Sequence, residues 1–208
     1  MSSSGPKRTG RPVDPAKREA ILAAAGQSFF DHGFAATSIE QVASRAGVSK
    51  VTIYNHFGDK RALFSAAVER ECEKMRSAFS LDGIAKGTLE ERLTNLGKSI
   101  VAFLSRPEMV QFERRIAAET EHEPALGAAF LAAGPHRMKQ AFAAYLSALV
   151  AAGELAIDDV ELATEQFVSM CKGIGDLERR FGHPSDPERD GERIAGAVAV
   201  FCKAYGCR

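Results

Sequence analysis

Apolar residues recur with the period of a helix along almost the whole of this chain. Near the start, Ile21, Leu22, Ala25, Phe29 and Phe30 share one face. Asp14 and Pro15 open that helix, because Asp accepts a backbone N–H as N-cap and Pro fits the first helical position. Gly33 ends it, since Gly accepts left-handed C-cap geometry. Ile39, Val42, Ala43 and Ala46 make the next stripe at i, i+3, i+4 and i+7, with Thr37 and Glu40 at capping-box spacing ahead of it. Gly47 stops this second helix. Ser49 caps a brief third one, from about Lys50 to His56, before Phe57-Gly58 breaks it. Asp59 opens a long fourth through Leu63, Phe64, Ala67, Val68, Cys72, Met75 and Phe79. Beyond Asp82-Gly83 the period predicts helices over roughly 88–105, 107–119, 124–152, 158–180 and 187–205. No alternating apolar–polar run is long enough to predict a strand, so the fold class is all-α.

Composition narrows the class. With 45% hydrophobic and 26% charged residues, the chain has the make-up of a globular protein, and no apolar run is long enough to span a membrane. Four Cys without a CxxC pair or metal-ligand spacing read as reduced thiols, which places the protein in the cytoplasm. Net charge is zero but unevenly spread. Residues 1–60 hold eight Lys and Arg against five Asp and Glu, and residues 61–208 hold nineteen against twenty-two. Residues 1–13 are rich in Ser, Gly and Pro and carry Lys7, Arg8 and Arg11, so they read as a flexible basic arm that either meets a polyanion or stays solvated.

The second and third helices, joined by Gly47-Val48-Ser49, have the spacing of a helix-turn-helix. Packing the pair puts Ile39, Val42, Val48, Ile53 and Phe57 inside. Lys50, Val51, Thr52, Tyr54, Asn55 and His56 are then left toward solvent. A short helix of that kind fits the major groove, and its hydroxyls, amide, Lys and His have the donors that phosphates and base edges accept. Lys60 adds a cation beside the free N–H groups of the fourth helix. The same geometry also occurs in bundles with no DNA partner.

The run GFAATSIEQVASRAGVSKVTIYNHFGDKRALFSA resembles the N-terminal domain of the TetR family of transcriptional regulators. The likeness rests on Gly33-Phe34, Ala36-Thr37, Ala46-Gly47-Val48-Ser49, Thr52-Ile53-Tyr54, His56-Phe57, Lys60 and Leu63-Phe64. It implies a three-helix DNA-binding head over residues 14–60 and a larger ligand-binding and dimerisation domain over 61–208. By position it implies phosphate contacts at Thr37, Tyr54, His56 and Lys60, and base reading at Lys50, Val51, Thr52 and Asn55. Val51 departs from the small residue common there, and its branched side chain either meets a thymine methyl or limits the approach. The arm, with Arg11, resembles basic extensions that lie along the minor groove.

Residues 107–170 resemble, more loosely, the C-terminal domain of AefR-like members, through Arg114-Arg115, Ala118-Glu119, Pro124, Gly134-Pro135, Tyr145-Leu146 and Gly153-Glu154-Leu155. Phe79, Phe103, Met109, Phe112, Phe142, Tyr145, Phe167 and Met170 are candidate pocket residues, since aromatic and Met side chains line apolar pockets as well as cores. Arg115, Glu119 and His122 either supply the pocket's polar contacts or lie on the surface. Gly97, Gly173 and Gly175 interrupt helical patterns, through close helix approach or a local kink. Ile194, Ala197, Val198 and Phe201 form a stripe on the last helix that, with Gly173, is the candidate dimer interface; the alternative is a stripe packed inside its own subunit.

Glu119, Glu121, His122 and Glu123 point around a helix and not to one centre, so no metal is expected. No nucleophile motif has supporting context, so neither an enzyme nor a cofactor is expected. The expected partners are palindromic double-stranded operator DNA, a small apolar or amphipathic effector and a second copy of the chain. The expected function is a ligand-responsive regulator, a repressor released from its operator, with the fourth helix carrying the signal. The alternative is an activator or a partner-controlled regulator without a small ligand.

Overall fold

The structure, a computed structural model, describes residues 14–78 and 87–206, and the side chains of that span except those of 75–78. The basic arm with Lys7, Arg8 and Arg11, and also Phe79 and Cys207, lie outside the described residues. Ten helices are described: α1 Pro15–Ala36, α2 Ile39–Ala46, α3 Lys50–Phe57, α4 Lys60–Ala78, α5 Leu89–Leu104, α6 Pro107–Thr120, α7 Pro124–Ala133, α8 Pro135–Ala151, α9 Val160–Arg180 and α10 Pro187–Tyr205. The fold is all-α, with an N-terminal helix-turn-helix followed by a larger helical body.

Local signals set most boundaries. Asp14 caps α1, accepting from the N–H groups of Ala16 and Lys17. Two expectations need correction. Ser38, not Thr37, is the N-cap of α2, and it forms the capping box with Gln41. Thr37 is drawn into the interior, where its hydroxyl donates to the carbonyls of Gly33 (2.7 Å) and Ser28 (3.0 Å). The single helix expected over 124–152 is two helices, broken at Gly134-Pro135. Pro135 has no N–H to continue the ladder, and it disfavours helical geometry in the residue before it, so α8 begins anew.

Two apolar clusters hold the molecule. The first joins the head to the middle of the chain: Ile21, Phe29, Ile39, Val42, Ile53 and Phe64 pack with Met109, Phe112, Ile116 and Leu126. The second is built from α5, α8, α9 and α10 around Leu93, Leu146, Phe167, Cys171, Ile194 and Phe201. The close approach of these helices explains Gly97, where a Cβ would meet Ile194 Cγ2 at 2.9 Å and Cys171 Sγ at 3.1 Å.

The expected dimer stripe is corrected here. Ile194, Ala197, Val198 and Phe201 are all buried within the subunit, in the second cluster. The outward side of α9 and α10 carries a different apolar set: Leu162, Ile174 and Leu177, then Phe181 at the C-cap of α9, and Val200. Phe181 is 79% exposed and Ile174 57%. Gly173, kinked at φ 50° and ψ −152°, is exposed among them.

Candidate DNA-binding face and effector cavity

The α2–α3 unit is fixed by its caps. Gln41 N–H donates to Ser38 Oγ (3.1 Å), and Ser38 N–H donates to Gln41 Oε1 (3.2 Å). Gly47 takes the left-handed conformation, φ 64° and ψ 32°, which a side chain would disfavour, and the chain turns there. Val48 N–H then returns to Ala43 O at 3.0 Å. Ser49 caps α3 by accepting from Thr52 N–H at 3.1 Å. Buried Ile53 anchors α3 against the core, and this sets which residues face outward.

Lys50, Val51, Tyr54 and Asn55 form one exposed face, with Val51 66% and Tyr54 48% exposed. Lys50 Nζ lies 2.7 Å from Glu40 Oε1, a hydrogen bond that raises the lysine pKa. The other expected contacts are placed differently. Thr52 is half-buried, its hydroxyl 2.9 Å from Ser49 Oγ. His56 is half-buried too, and its Nδ1 is enclosed without a partner. Lys60 turns back to α1, donating to Ala35 O at 3.3 Å with its ammonium 4.5 Å from the Phe34 ring centroid. Burial there lowers its pKa. Thr37 is only 1% exposed, so its side chain is not offered to a phosphate; the expectation of a contact there is corrected by its burial.

Behind the head lies a cavity of about 1420 Å³. Phe30 of α1, Val68 and Cys72 of α4, Ile100 and Phe103 of α5, Met109, Phe112 and Ile116 of α6, Phe130 of α7, and Phe142 and Tyr145 of α8 give it a mainly apolar wall. Five of the expected residues therefore line it: Phe103, Met109, Phe112, Phe142 and Tyr145. Three do not. Phe167 is wholly buried in the second cluster, between Phe142 and Phe201. Met170 packs against that same cluster. Arg115 points the other way, to the backbone of α1.

The cavity's polar groups went largely unforeseen. Tyr145 Oη is buried with no hydrogen-bond partner, and burial raises its pKa. At the α6–α9 wall, Glu113 meets Arg180 (3.2 Å), Arg180 meets Asp176 (3.1 Å) and Asp176 meets Lys172 (2.9 Å). Two acids and two bases cancel. Burial outweighs the guanidinium and pushes the Glu113 pKa up. Lys172, Asp176 and Arg180 stand at i, i+4 spacing, a signal readable in sequence. Glu113 is too distant in the chain to give one. The described thiols are poor nucleophiles, since burial pushes Cys72 to about 11, Cys171 to about 12 and Cys202 upward.

Among the described residues no helix is long and apolar enough to cross a membrane. Residues 21–67 match the family model described as bacterial regulatory proteins, tetR family. Residues 91–207 match the model for the AefR-like transcriptional repressor C-terminal domain. The HTH-type transcriptional activator FasR of Mycolicibacterium smegmatis is 35% identical over 75 residues, 36% of this chain and 34% of that protein. The HTH-type transcriptional regulator RutR of Escherichia coli K12 is 39% identical over 72 residues, 34% of each chain. The matched stretch is thus about a third of the length of either relative. Two solved structures are alike over more than nine-tenths of the chain. A TetR-family regulator from Mesorhizobium loti MAFF303099 has a TM-score of 0.78 at 26% identity, covering 93% of this chain and 100% of that one. The flavonoid-responsive regulator FrrA has a TM-score of 0.73 at 31% identity, covering 94% and 100%. The chain belongs to the TetR family of transcriptional regulators, a DNA-binding regulator of transcription and not an enzyme.

Proposed function

We propose that two copies of this chain hold a palindromic operator in the cytoplasm and repress transcription until a small effector enters the cavity. The carrying observation is the pairing of the exposed face Lys50, Val51, Tyr54 and Asn55 with a large, mainly apolar cavity behind the same head. In this reading α3 lies in the major groove, and its twin lies about 34–36 Å away in the next. Tyr54 and Lys50 meet phosphate or base edges, Asn55 reads a base edge, and Val51 meets a thymine methyl. Lys60 and His56 join the contacts when the head settles on the duplex, and Arg11 follows the minor groove. The apolar side of α9–α10, around Ile174, Leu177, Phe181 and Val200, pairs with its own copy as an isologous interface.

The effector in this reading is uncharged, largely apolar and aromatic, with an oxygen that pairs with Tyr145 Oη. Glu113, Asp176, Lys172 and Arg180 are already paired with one another, so an ionised ligand would find no free counter-charge in that cluster. The flavonoid response in the name of FrrA is of this chemical kind. A cavity of this size favours a small ligand over control by a protein partner. Activation, the mode named for FasR, is the second reading.

The test is selection of bound duplexes from a random pool, followed by titration of salt. Log affinity should fall linearly with log salt, and Tyr54→Ala should weaken every selected sequence alike and lower the slope by about 1. Affinity indifferent to salt would refute phosphate-driven docking. A flavonoid, naringenin, is the first probe for release of the best duplex.

A further inference from the structure

Helix α1 is broken one turn before it hands the chain to α2. Gly33, at φ 84° and ψ 178°, sits outside the helical region. In an unbroken helix Phe34 N–H would pair with Phe30 O, and Ala35 N–H with Asp31 O. Both rings pass through Gly33. All four of these backbone groups are held by one pair of side chains on α6. Glu119 accepts from Phe34 N–H at 3.1 Å and from Ala35 N–H at 2.8 Å. Arg115 Nη1 donates to Phe30 O and Asp31 O, each at 2.6 Å. Arg115 and Glu119 are one helical turn apart, so a single edge of α6 splices both sides of the break.

The fit is tight. A Cβ on Gly33 would run into Glu119 Oε1, so the carboxylate occupies the space that only glycine leaves open. Thr37 and Lys60 close the joint from the other side, on Gly33 O and Ala35 O. The adjoining face of α6 is the cavity wall, with Met109, Phe112, Glu113, Ile116 and Thr120. Phe112 stacks on Phe30 with centroids 4.1 Å apart, directly beside the splice. One helix therefore borders the cavity on one face and holds the backbone leading to α2 and α3 on the adjoining edge.

We propose that Arg115 and Glu119 are positioning residues that couple the cavity to the DNA-binding head by splicing the break in α1 onto α6. The proposal rests on the DNA-binding reading above and adds a route of communication beside α4. A cavity occupant that shifts α6 moves the segment Phe34–Ala36 with it, because charged hydrogen bonds on both strands of the break resist slipping. By reciprocity, DNA on the head must also be felt in α6. That consequence can be measured without knowing the effector.

The experiment is amide hydrogen exchange on the full chain, alone and with a saturating selected duplex. Without DNA, Phe34 and Ala35 amides of the unaltered protein should be protected, although neither lies in an uninterrupted helix. Fast exchange at both would overturn the splice itself. With duplex, exchange across residues 109–120 should slow by about fivefold or more, the lower end of ordinary coupling between sites. In Arg115→Met and Glu119→Gln the duplex should still protect α3, while the response in α6 disappears. Arg115→Lys, which keeps a donor for the two carbonyls, should restore it. The proposal is overturned if α6 ignores the duplex while α3 is protected, or if it responds equally in Arg115→Met and Glu119→Gln. It is equally overturned if those variants lose protection throughout α9 and α10, since the pair would then serve only general stability. No protection of α3 by any selected duplex would instead strike the DNA-binding reading.

Discussion

The pair α2–α3 and the pair α9–α10 are both built from amphipathic helices, yet they spend their apolar residues differently. In α2–α3 one apolar set exists, and Ile39, Val42, Ala43 and Ile53 all go inside. Apart from Val51 and the ring of Tyr54, what remains outside is polar. In α9–α10 there are two apolar sets. Ile194, Ala197, Val198 and Phe201 fill the subunit's own core, while Ile174, Leu177, Phe181 and Val200 stay exposed. Apolar surface beyond what the subunit can bury marks a place where something else covers it. In the proposed reading the two outward faces take unlike partners: a polyanion at α3 and an apolar surface at α9–α10.

The sharpest way to break this contrast is to exchange the roles of the inner and outer sets. Ile174→Glu places a charge on the outer face. In a paired interface it should cost about 3 kcal/mol or more, because the charge is buried without a partner. Sedimentation should then show monomers, and duplex affinity should fall about a hundredfold or more as the second head is lost. The fold should stay intact. Phe201→Ala should do the reverse: a loss of about 3–5 kcal/mol in stability, with the surviving folded protein still self-associating. Monomers from Phe201→Ala with unchanged stability would return the inner stripe to the interface.

A smaller effect sharpens the reading of the head. Thr37→Val keeps the shape and removes the hydroxyl, leaving buried carbonyls of Ser28 and Gly33 short of a donor. Denaturant melts should show a loss of about 1–3 kcal/mol, and Thr37→Ser should recover most of it. The salt slope of DNA binding should match the unaltered protein's. A slope lowered by about 1 in a stable Thr37→Val variant would reinstate the side chain as a phosphate contact.

Legibility in the sequence followed locality. Gly47, Ser49 and the Ile39–Val42–Ala43 stripe are near neighbours, and they announced the helix-turn-helix. Thr37 and Ser38 are both able to cap α2, and both Glu40 and Gln41 suit a capping box. Only the tertiary pull of Ser28 and Gly33 on Thr37 decides between them. Periodicity likewise told that Phe112 and Phe167 are buried-type residues, but not that one faces a cavity and the other a packed core. Arg115 and Glu119 were read as pocket or surface groups. They line no cavity and sit half-buried, because their partners are backbone atoms more than eighty residues away. The break at Gly134-Pro135 had a local signal in Pro135, and the surrounding apolar period masked it.

The smallest expected effect uses two acids, one packed on α4 beside the head and one facing α9, whose pKa values move in opposite directions. Glu19 of α1 is held low by its hydrogen bond to Arg70 of α4. Its contribution to stability is present above the unfolded value, near 4.5, and is lost as pH falls through the lower folded value. Glu113 of α6 is raised by burial. Between 4.5 and its raised value the folded chain holds a proton that the unfolded chain has released, so stability falls as pH rises through that window. Glu19→Gln should therefore remove a loss on the acid side, and Glu113→Gln should remove a loss on the other. Stability curves of the two variants, each subtracted from the unaltered protein's, should bend at opposite ends of the carboxylate range. A Glu113→Gln difference that bends on the acid side would mean Arg180 governs that carboxylate, and that the α6–α9 wall of the cavity is better watered than its burial implies.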